Sequence, residues 1–375
     1  MSATVCLYAD TLYYPQGGGH GWVYLNWALG LRSLGCEVVW LERVRGRYTD
    51  PGDEAAYFNA LKDRLKRYGL ERIALWSPSG RQPPQEVREQ CLDLDAVVGA
   101  DLLLALRYDL PSRLVSSFRR SALLDIDPGL LQTWISKGQI EPAPYTHYFT
   151  IGETVSRPGA RFRDAGLEWH YAPPCVALDW WPVCPADEGA PFTTVSHWYM
   201  STWMEDEGGA YPNDKRAGFL PFLELPRHTA ESLELALYLE GDQTERRALE
   251  ARGWRVRESV EVAATPWDYQ GYIQASRGEF SCVKRSCVRM QNAWISDRTL
   301  CYLASGKPAV VQHTGPSRFL PDAAGLFRFS DLVDAARCLD TVAADYERQC
   351  RLARALAEEH FDARKVVGSV LERAL

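Results

Sequence analysis

The chain opens with a short apolar run, an amphipathic stretch and a second apolar run. Thr4–Tyr8 and Glu37–Leu41 predict two strands, because each is short and rich in apolar residues. Between them, Gly21–Leu34 has apolar residues at spacings of three and four, which predicts a helix, and Gly35 is a typical residue for its end. This order predicts a βαβ unit, whose parallel strands are joined by a right-handed crossover.

The same alternation continues through the first half of the chain. The predicted elements are, in order, helix Ala55–Tyr68, strands Leu102–Leu106 and Ala122–Ile126, helix Leu130–Lys137 and strand His147–Ile151. A proline-rich stretch at residues 170–191 follows, and its composition is typical of an extended linker.

A second alternating set begins at Phe192. Its predicted elements are strand Phe192–Ser196, helix Asn213–Leu225, strand Leu233–Leu239, helices Thr244–Arg252 and Trp267–Ala275, strand Phe280–Val283, helix Ser296–Ser305, strand Ala309–Gln312, and helices Asp345–His360 and Asp362–Leu375. We therefore predict an N-terminal domain at residues 1–178, a linker at 179–191, a second domain at 192–360 and a final helical segment at 361–375.

Two alternating halves predict an α/β protein with two doubly wound, Rossmann-like domains that face a cleft. Ligands of such folds bind beyond the carboxyl ends of the parallel strands. The loops that follow Tyr8, Ser196, Val283 and Gln312 are therefore the first places to look for a site.

Composition narrows the class of protein. The 375 residues carry a formal net charge of −7, which argues against general nucleic-acid binding. The ten cysteines form no Cys-x-x-Cys pair and the seven histidines no His-x-x-x-His pair, so we expect no structural zinc or other metal site.

No apolar run is long enough for a membrane helix, and the first residues lack a basic leader. We expect a cytoplasmic protein with reduced thiols and no membrane partner.

The most distinctive motif is the glycine cluster Gly17-Gly18-Gly19-His20-Gly21, between the first strand and the first helix. Glycines at a helix N-terminus let backbone N–H groups approach a phosphate or a developing anion. His20 adds a side chain that can take up a proton near neutral pH. The cluster therefore predicts part of an active site.

Three stretches give the chain a resemblance to the GT-B-fold glycosyltransferases that use nucleotide sugars. The first runs from Gly18 to Val39, the second is Asn213–Leu220, and the third is Leu303–Val311, with its Gly-Lys-Pro run. The resemblance implies that the first domain holds the acceptor and the second the nucleotide-sugar donor. It also implies that the final helix crosses back to pack on the first domain.

The resemblance leaves three roles open for His20. In inverting members of the fold, a histidine on this loop is the general base that deprotonates the acceptor hydroxyl. In retaining members, a glycine pair at this spacing holds the donor phosphates through backbone amides, and Gly18-Gly19 fits that pattern. In that case His20 is a residue that only contributes to binding. The third possibility is a purely structural role for His20 in the first turn of the helix.

Cations and a helix start predict the donor site. Lys215 and Arg216 open a helix in the stretch whose lysine, by resemblance, meets the donor pyrophosphate, and Lys284 and Arg289 cluster after a predicted strand. The predicted donor residues are Gly18, Gly19, Lys215, Arg216, Lys284, Arg289, Ser296, Asp297, Arg298, His313, Thr314 and Gly315. Ser296 is a typical N-cap, while Asp297 binds ribose or only favours the positive helix end.

Two departures from the family limit the prediction. Cys301 stands where retaining members have a ribose-binding glutamate, and the His-Cys-Gly-Trp run of plant-like inverting members is missing, so the stereochemical outcome stays open. On the acceptor side, Asp125 and Asp127 follow a strand of the first domain.

We therefore predict a metal-independent glycosyltransferase, monomeric or homodimeric. It moves a sugar from a nucleoside diphosphate sugar, its co-substrate, to a hydroxyl or amine of a small natural-product acceptor, with no other cofactor. Two alternatives are a nucleotide-sugar epimerase of the same fold and a non-catalytic, two-lobed sugar-binding protein.

Overall fold

A computed structural model describes residues 3–44, 51–200, 203–206 and 209–375. Within these residues the first half forms a seven-stranded parallel sheet. Its strands are β1 (Thr4–Tyr8), β2 (Glu37–Arg43), β3 (Ile73–Trp76), β4 (Leu102–Ala105), β5 (Ser121–Asp125), β6 (His147–Thr150) and β7 (Trp169–Tyr171). The order across the sheet is β3-β2-β1-β4-β5-β6-β7, so the chain begins at a central strand and winds outward in both directions.

Helices cover the first sheet. They are α1 (Gly18–Ser33), α2 (Pro51–Arg67), α3 (Gln85–Arg88), α4 (Leu94–Val98), α5 (Ser112–Val115) and α6 (Leu130–Ser136). Most residues of α1 are buried, because the helix packs on the sheet with one side and on the second half of the chain with another. The strands β1 and β4 are apolar runs buried on both faces, as parallel strands between helix layers require.

The second half forms another sheet and a separate hairpin. The sheet strands are β8 (Phe192–His197), β11 (Leu233–Tyr238), β12 (Arg255–Glu258), β13 (Gly278–Ser281), β14 (Ala309–Gln312), β15 (Ala323–Ala324) and β16 (Leu326–Phe329), and the hairpin strands are β9 (Trp203–Asp206) and β10 (Gly209–Pro212). The order is β12-β11-β8-β13-β14-β16-β15, in which the two-residue β15 alone is antiparallel to its neighbour among the strands of this sheet that the structure describes.

The helices of the second half are α7 (Lys215–Phe219), α8 (Gln243–Glu250), α9 (Ser259–Val262), α10 (Pro266–Ala275), α11 (Arg285–Met290), α12 (Asp297–Ala304), α13 (Leu332–Ala344), α14 (Tyr346–Leu356) and α15 (Ala363–Ala374). A five-residue π-helical turn separates α14 from α15. Between the sheets, Leu178–Trp180 forms a 3₁₀ turn and Trp181 is fully buried against Trp22 of α1, with ring centroids 4.7 Å apart. The segment predicted as a linker therefore packs on the body of the protein at this point.

The last helix, α15, lies against α1 of the first half. A Cβ built at Gly30 of α1 would lie 2.8 Å from Val367 and 2.9 Å from Ala363, so the two helices approach closely because residue 30 has no side chain. The backbone of Val176 also exchanges hydrogen bonds with Phe361 and Ala363. The predicted fold is confirmed: two doubly wound α/β halves face each other, and the final helix crosses back. The exact domain boundaries stay a prediction.

Some local predictions were wrong. The helix predicted at Asn213–Leu225 is only α7 and two 3₁₀ turns, because Pro221 and Pro226 interrupt the hydrogen-bond pattern of an α-helix. The elements that were not predicted include strands β3, β7, β15 and β16, the β9–β10 hairpin, the short helices α3, α4, α5 and α11, and the longer helix α13. The four-residue strands have too little periodicity to stand out. The helix α13, however, has a clear signal, because Asp331 caps its N-terminus and its buried residues follow helical spacing.

Candidate active site

The carboxyl ends of the two sheets face a cleft of about 520 Å³. Its first-half lining is Asp10, Tyr13, Tyr14, residues 16–20 and Val23, and its second-half lining is residues 195–197, Ser259, Ala263, Tyr269 and residues 296–298. The structure thus brings together the loop after β1, the loop after β8 and the N-terminus of α12. This is the placement expected of a ligand site in a doubly wound fold.

Two glycines of the Gly17–Gly21 cluster, Gly18 and Gly19, are required by packing between the two halves. A Cβ at Gly18 would lie 2.2 Å from the backbone oxygen of Thr265, and one at Gly19 would lie 2.6 Å from the ring of Tyr269. The N–H of Gly18 donates to the carbonyl oxygen of Ala263 at 3.1 Å. Phosphate binding by Gly18 and Gly19 stays a prediction, and the amide of Gly18 already has a protein partner.

His20 lies in the first turn of α1, between the rings of Tyr14 and Tyr24, at centroid distances of 5.2 and 5.3 Å. Its Nε2 donates to the backbone oxygen of Asp10 at 2.7 Å. A carbonyl oxygen only accepts, so Nε2 carries the hydrogen and the neutral ring keeps its lone pair on Nδ1. Burial lowers the pKa of His20 below 6.5, so the ring is neutral at pH 7 and able to accept a proton.

The N-terminus of α12 forms part of the opposite wall. The Ser296 hydroxyl accepts from the N–H of Arg298 at 3.2 Å, so the predicted N-cap is present. Asp297 lines the cleft, and burial raises the pKa of its carboxyl group. The guanidinium of Arg298 is nearly buried and donates to Glu279 at 2.8 Å and to the Val195 oxygen at 2.9 Å. Arg298 is therefore partnered by the protein itself.

A small cavity of about 60 Å³ adjoins these elements, and we call it the lysine pocket. It is lined by Ile126, Asp127, Pro128, Leu130, Lys215, Lys284, Cys287, Asn292 and Trp294. Lys215 begins α7 and donates from Nζ to the carbonyl oxygen of Cys282 at 3.1 Å, a neutral partner. Burial, with the charge of Arg298 nearby, lowers the pKa of Lys215 to about 7. An anion bound here would restore the charge of this lysine.

Other predicted donor residues lie outside the lining of both cavities. Arg216 is paired with Glu245, with Nε 2.6 Å from Oε1. Arg289 stacks over the ring of Tyr211 at 4.3 Å, close to the β9–β10 hairpin. Neither arginine shares a cavity wall with Lys215.

The loop after β14 is held by internal contacts. Gly315 donates from its N–H to Nδ1 of His313 at 3.1 Å, and Thr314 donates to the backbone oxygen of Trp294 at 2.6 Å. Gly315 has a φ of +128°, and a Cβ there would meet the backbone of Gln291. These contacts position the loop, and its role toward a donor sugar stays a prediction.

The two aspartates predicted for the acceptor side lie in different surroundings. Asp125 is buried, and its carboxylate accepts from Gln132 at 2.7 Å and from Thr150 at 2.8 Å. Burial raises the pKa of Asp125 to about 6. Asp127, in contrast, lines the lysine pocket. The structure therefore places Asp127 beside the predicted donor cations and Asp125 in an enclosed hydrogen-bond network.

Sequence reasoning did not assign several cleft residues to the site. His197, at the end of β8, lines the cleft with its ring 4.7 Å from that of Tyr238, and its buried Nδ1 has no hydrogen-bond partner among the described residues. Tyr14 and Asp10 lie beside His20. His197, Asp10 and Tyr14 all lie in or close to the ends of predicted strands, and this position was the sequence signal that could have assigned them to the site.

Within residues 3–44, 51–200, 203–206 and 209–375, no three His, Cys, Asp or Glu side chains are grouped so as to hold a metal ion. Among the described helices, none is both long and apolar enough to span a bilayer.

No protein-family model and no curated protein sequence matches the chain. Solved structures do match over almost the whole length. Anabaena HepE in complex with UDP and glucose has a TM-score of 0.57 at 11% identity, covering 99% of each chain. A glycosyltransferase from Rickettsia africae has a TM-score of 0.57 at 10% identity, covering 100% of this chain and 98% of the other.

An alpha-glucosyltransferase in complex with UDP and a 13-mer DNA has a TM-score of 0.63 at 9% identity, covering 99% of each chain. Identities this low show a common fold and no more. The chain therefore has the two-domain GT-B fold of these glycosyltransferases.

Proposed function

We propose that this protein is a glycosyltransferase that moves a sugar from a nucleoside diphosphate sugar to a hydroxyl group of an acceptor. The observation that carries the proposal is the cleft itself. It places a neutral imidazole, that of His20, opposite the N-terminus of α12, with the lysine pocket adjoining. Structures of the same fold contain UDP or UDP-glucose, which makes UDP the first nucleotide to test.

The donor diphosphate would be held on the second-half side. Lys215 and Lys284 provide two cations in the lysine pocket, and residues 296–298 at the N-terminus of α12 line the cleft, where a helix N-terminus favours an anion. In this proposal Lys215 supplies the positive charge that stabilises the leaving diphosphate, so no metal ion is assigned to the reaction. A lysine with a pKa of about 7 gains its full charge when the diphosphate binds.

The chemical step follows from these positions. The acceptor oxygen forms a bond to the anomeric carbon while the bond from that carbon to the diphosphate oxygen breaks. The hydroxyl proton passes to Nδ1 of His20, and the nucleoside diphosphate leaves with the bonding electron pair. His20 is suited to this role because its Nε2–H is held by the Asp10 carbonyl oxygen, which fixes the ring and its tautomer.

Two measurements test the proposal. Calorimetric titration with UDP, GDP, ADP and dTDP should give binding below millimolar for at least one nucleotide, and binding by none of them refutes the donor assignment. Incubation with the matching nucleotide sugar should release the nucleoside diphosphate only when an acceptor mixture is present. Conversion to an epimeric nucleotide sugar without an acceptor would instead identify an epimerase.

A further inference from the structure

Four charged side chains form a row beside His20, at the carboxyl ends of three adjacent strands. Asp10 pairs with Arg107 at 2.7 Å, Arg107 contacts Asp109 at 3.2 Å, and Asp109 pairs with Arg43 at 2.7 Å. The hydroxyl of Tyr8 donates to Asp109 at 3.0 Å. These residues follow or end β1, β2 and β4, which are neighbours in the sheet. We call this row the ion-pair ladder.

The ladder is electrically balanced. It has two guanidinium groups and two carboxylates, each between 21% and 29% exposed. Burial acts to raise the pKa of Asp109, but hydrogen bonding and charge from Arg107 lower it below its ordinary value, so the carboxylate stays ionised at neutral pH. A phosphate or carboxylate ligand would therefore meet two fixed negative charges and no surplus of positive charge.

The exposed faces of the ladder suit hydroxyl groups. A hydroxyl both donates and accepts, so it can bond a carboxylate and a guanidinium at the same time. Guanidinium groups have five N–H donors and carboxylates about four acceptor positions, more than the contacts within the ladder use. Alternating donors and acceptors in a row match a ring that carries hydroxyls on successive carbons.

An aromatic surface completes the site. Tyr14 lines the cleft, is 41% exposed, and has its ring 5.2 Å from that of His20. The backbone of Gly17 supports the other side of this ring, since a Cβ there would lie 1.9 Å from Tyr14. An exposed and supported aromatic ring offers an apolar contact to a flat ligand.

Of the four ladder residues, Asp10 lines the cleft, together with Tyr14 and His20. From this arrangement we propose that the acceptor is a neutral sugar, held by its hydroxyls at the Asp10 end of the ion-pair ladder and by its ring face on Tyr14. One sugar hydroxyl then reaches His20, which lies between the ion-pair ladder and Tyr14 and donates from Nε2 to the backbone oxygen of Asp10. This inference rests on the proposed function, because it names the substrate class of the same cleft.

The test compares acceptors of four classes with UDP-glucose as donor. The panel contains methyl glycosides of glucose, galactose and mannose, glucose 6-phosphate, a simple phenol and a single-stranded oligonucleotide. At least one methyl glycoside should be the best acceptor. Preference for the phenol, the sugar phosphate or the oligonucleotide would overturn the inference while leaving the glycosyltransferase assignment intact. Lack of binding to any nucleotide, measured separately, would instead refute the proposed function.

Two variants test the site itself. Asp10→Asn and Tyr14→Ala should each raise the acceptor KM about tenfold or more, the equivalent of ~1.4 kcal/mol, with the donor KM unchanged. The matched control is Asp101→Asn, since Asp101 pairs with Arg119, directly precedes β4 at the amino end of that strand, away from the cleft, and should change neither value. If Asp10→Asn fails to fold, Tyr14→Ala decides, because Tyr14 is exposed, and an unchanged acceptor KM in that variant contradicts the proposal.

Discussion

Replacement of Lys215 by methionine should stabilise the fold and weaken nucleotide binding. Lys215 has a neutral hydrogen-bond partner, the Cys282 carbonyl oxygen, and its pKa is about 7 in the folded protein against an ordinary value of 10.5. The folded state therefore disfavours the charged lysine. Methionine is similar in length and carries no charge, so it removes this penalty.

The size of the effect follows from the two pKa values. At ~1.4 kcal/mol per pKa unit, the difference from 10.5 to about 7 corresponds to a destabilisation of at most roughly 5 kcal/mol. Relaxation around this half-buried side chain lowers the figure, and we expect a gain of about 1–3 kcal/mol in the free energy of unfolding. Since the pKa is lowered on folding, the penalty is full below pH 7 and disappears as the pH rises towards 10.5.

The assay is urea unfolding of both proteins at several pH values between 6.5 and 9.5, together with calorimetric titration of UDP. The gain in unfolding free energy should be largest near pH 7 and shrink at higher pH. UDP affinity should fall at least tenfold, because a charged contact to the diphosphate is lost, which is ~1.4 kcal/mol or more. In the wild-type protein, UDP affinity should itself decline above pH 7, as the free lysine loses its proton.

Lys307 provides a matched control. It is fully buried, its Nζ has no hydrogen-bond partner among the described residues, and burial lowers its pKa. It lines neither the cleft nor the lysine pocket. Lys307→Met should therefore stabilise the protein without changing UDP affinity. A Lys215→Met variant that is no more stable than wild type, or that binds UDP equally well, would refute the reasoning.

Three further predictions concern the walls of the cleft. His20→Gln should lower kcat at least ~100-fold with UDP affinity unchanged, and near-normal turnover of the variant excludes the base role. In the wild-type protein, kcat/KM should fall only below pH 6.5, as the imidazole becomes protonated. Gly18→Ala should lower the free energy of unfolding in urea by about 2–3 kcal/mol, because the added Cβ would lie 2.2 Å from a backbone oxygen. Gly271 has open space around it, so Gly271→Ala should not destabilise the protein. Glu279→Gln should lower the free energy of unfolding by about 3–5 kcal/mol, because it leaves the charge of the nearly buried Arg298 unpaired. Replacing both residues by methionine should restore most of this loss. Equal stability of the wild type and both variants would contradict the pairing.

Several elements could be predicted from local sequence because their signals are local. The strand Ala309–Gln312 has the predicted bounds, and α12 begins one residue after the predicted N-cap, Ser296. Apolar runs and cap residues act within a few positions of the chain, so they can be recognised without knowing what packs against them. The α/β alternation followed from the same signals.

Residue roles depended on partners that lie on other elements of the fold. Arg298, on helix α12, resembles a free cation in the sequence, yet it is neutralised by Glu279, a residue of strand β13. Asp125 and Asp127 are two positions apart, and one is enclosed while the other lines the lysine pocket. No local pattern distinguishes them.

The sequence by itself determined the alternation of strands and helices, the two halves and the presence of a glycine-rich turn with a histidine. The tertiary structure decided what those glycines do. Gly18 and Gly19 lie against Thr265 and Tyr269, so their lack of side chains allows the two halves to meet. The physical reason is that apolar periodicity and helix caps are local properties of the chain, whereas steric fit and charge pairing depend on which elements the fold brings together.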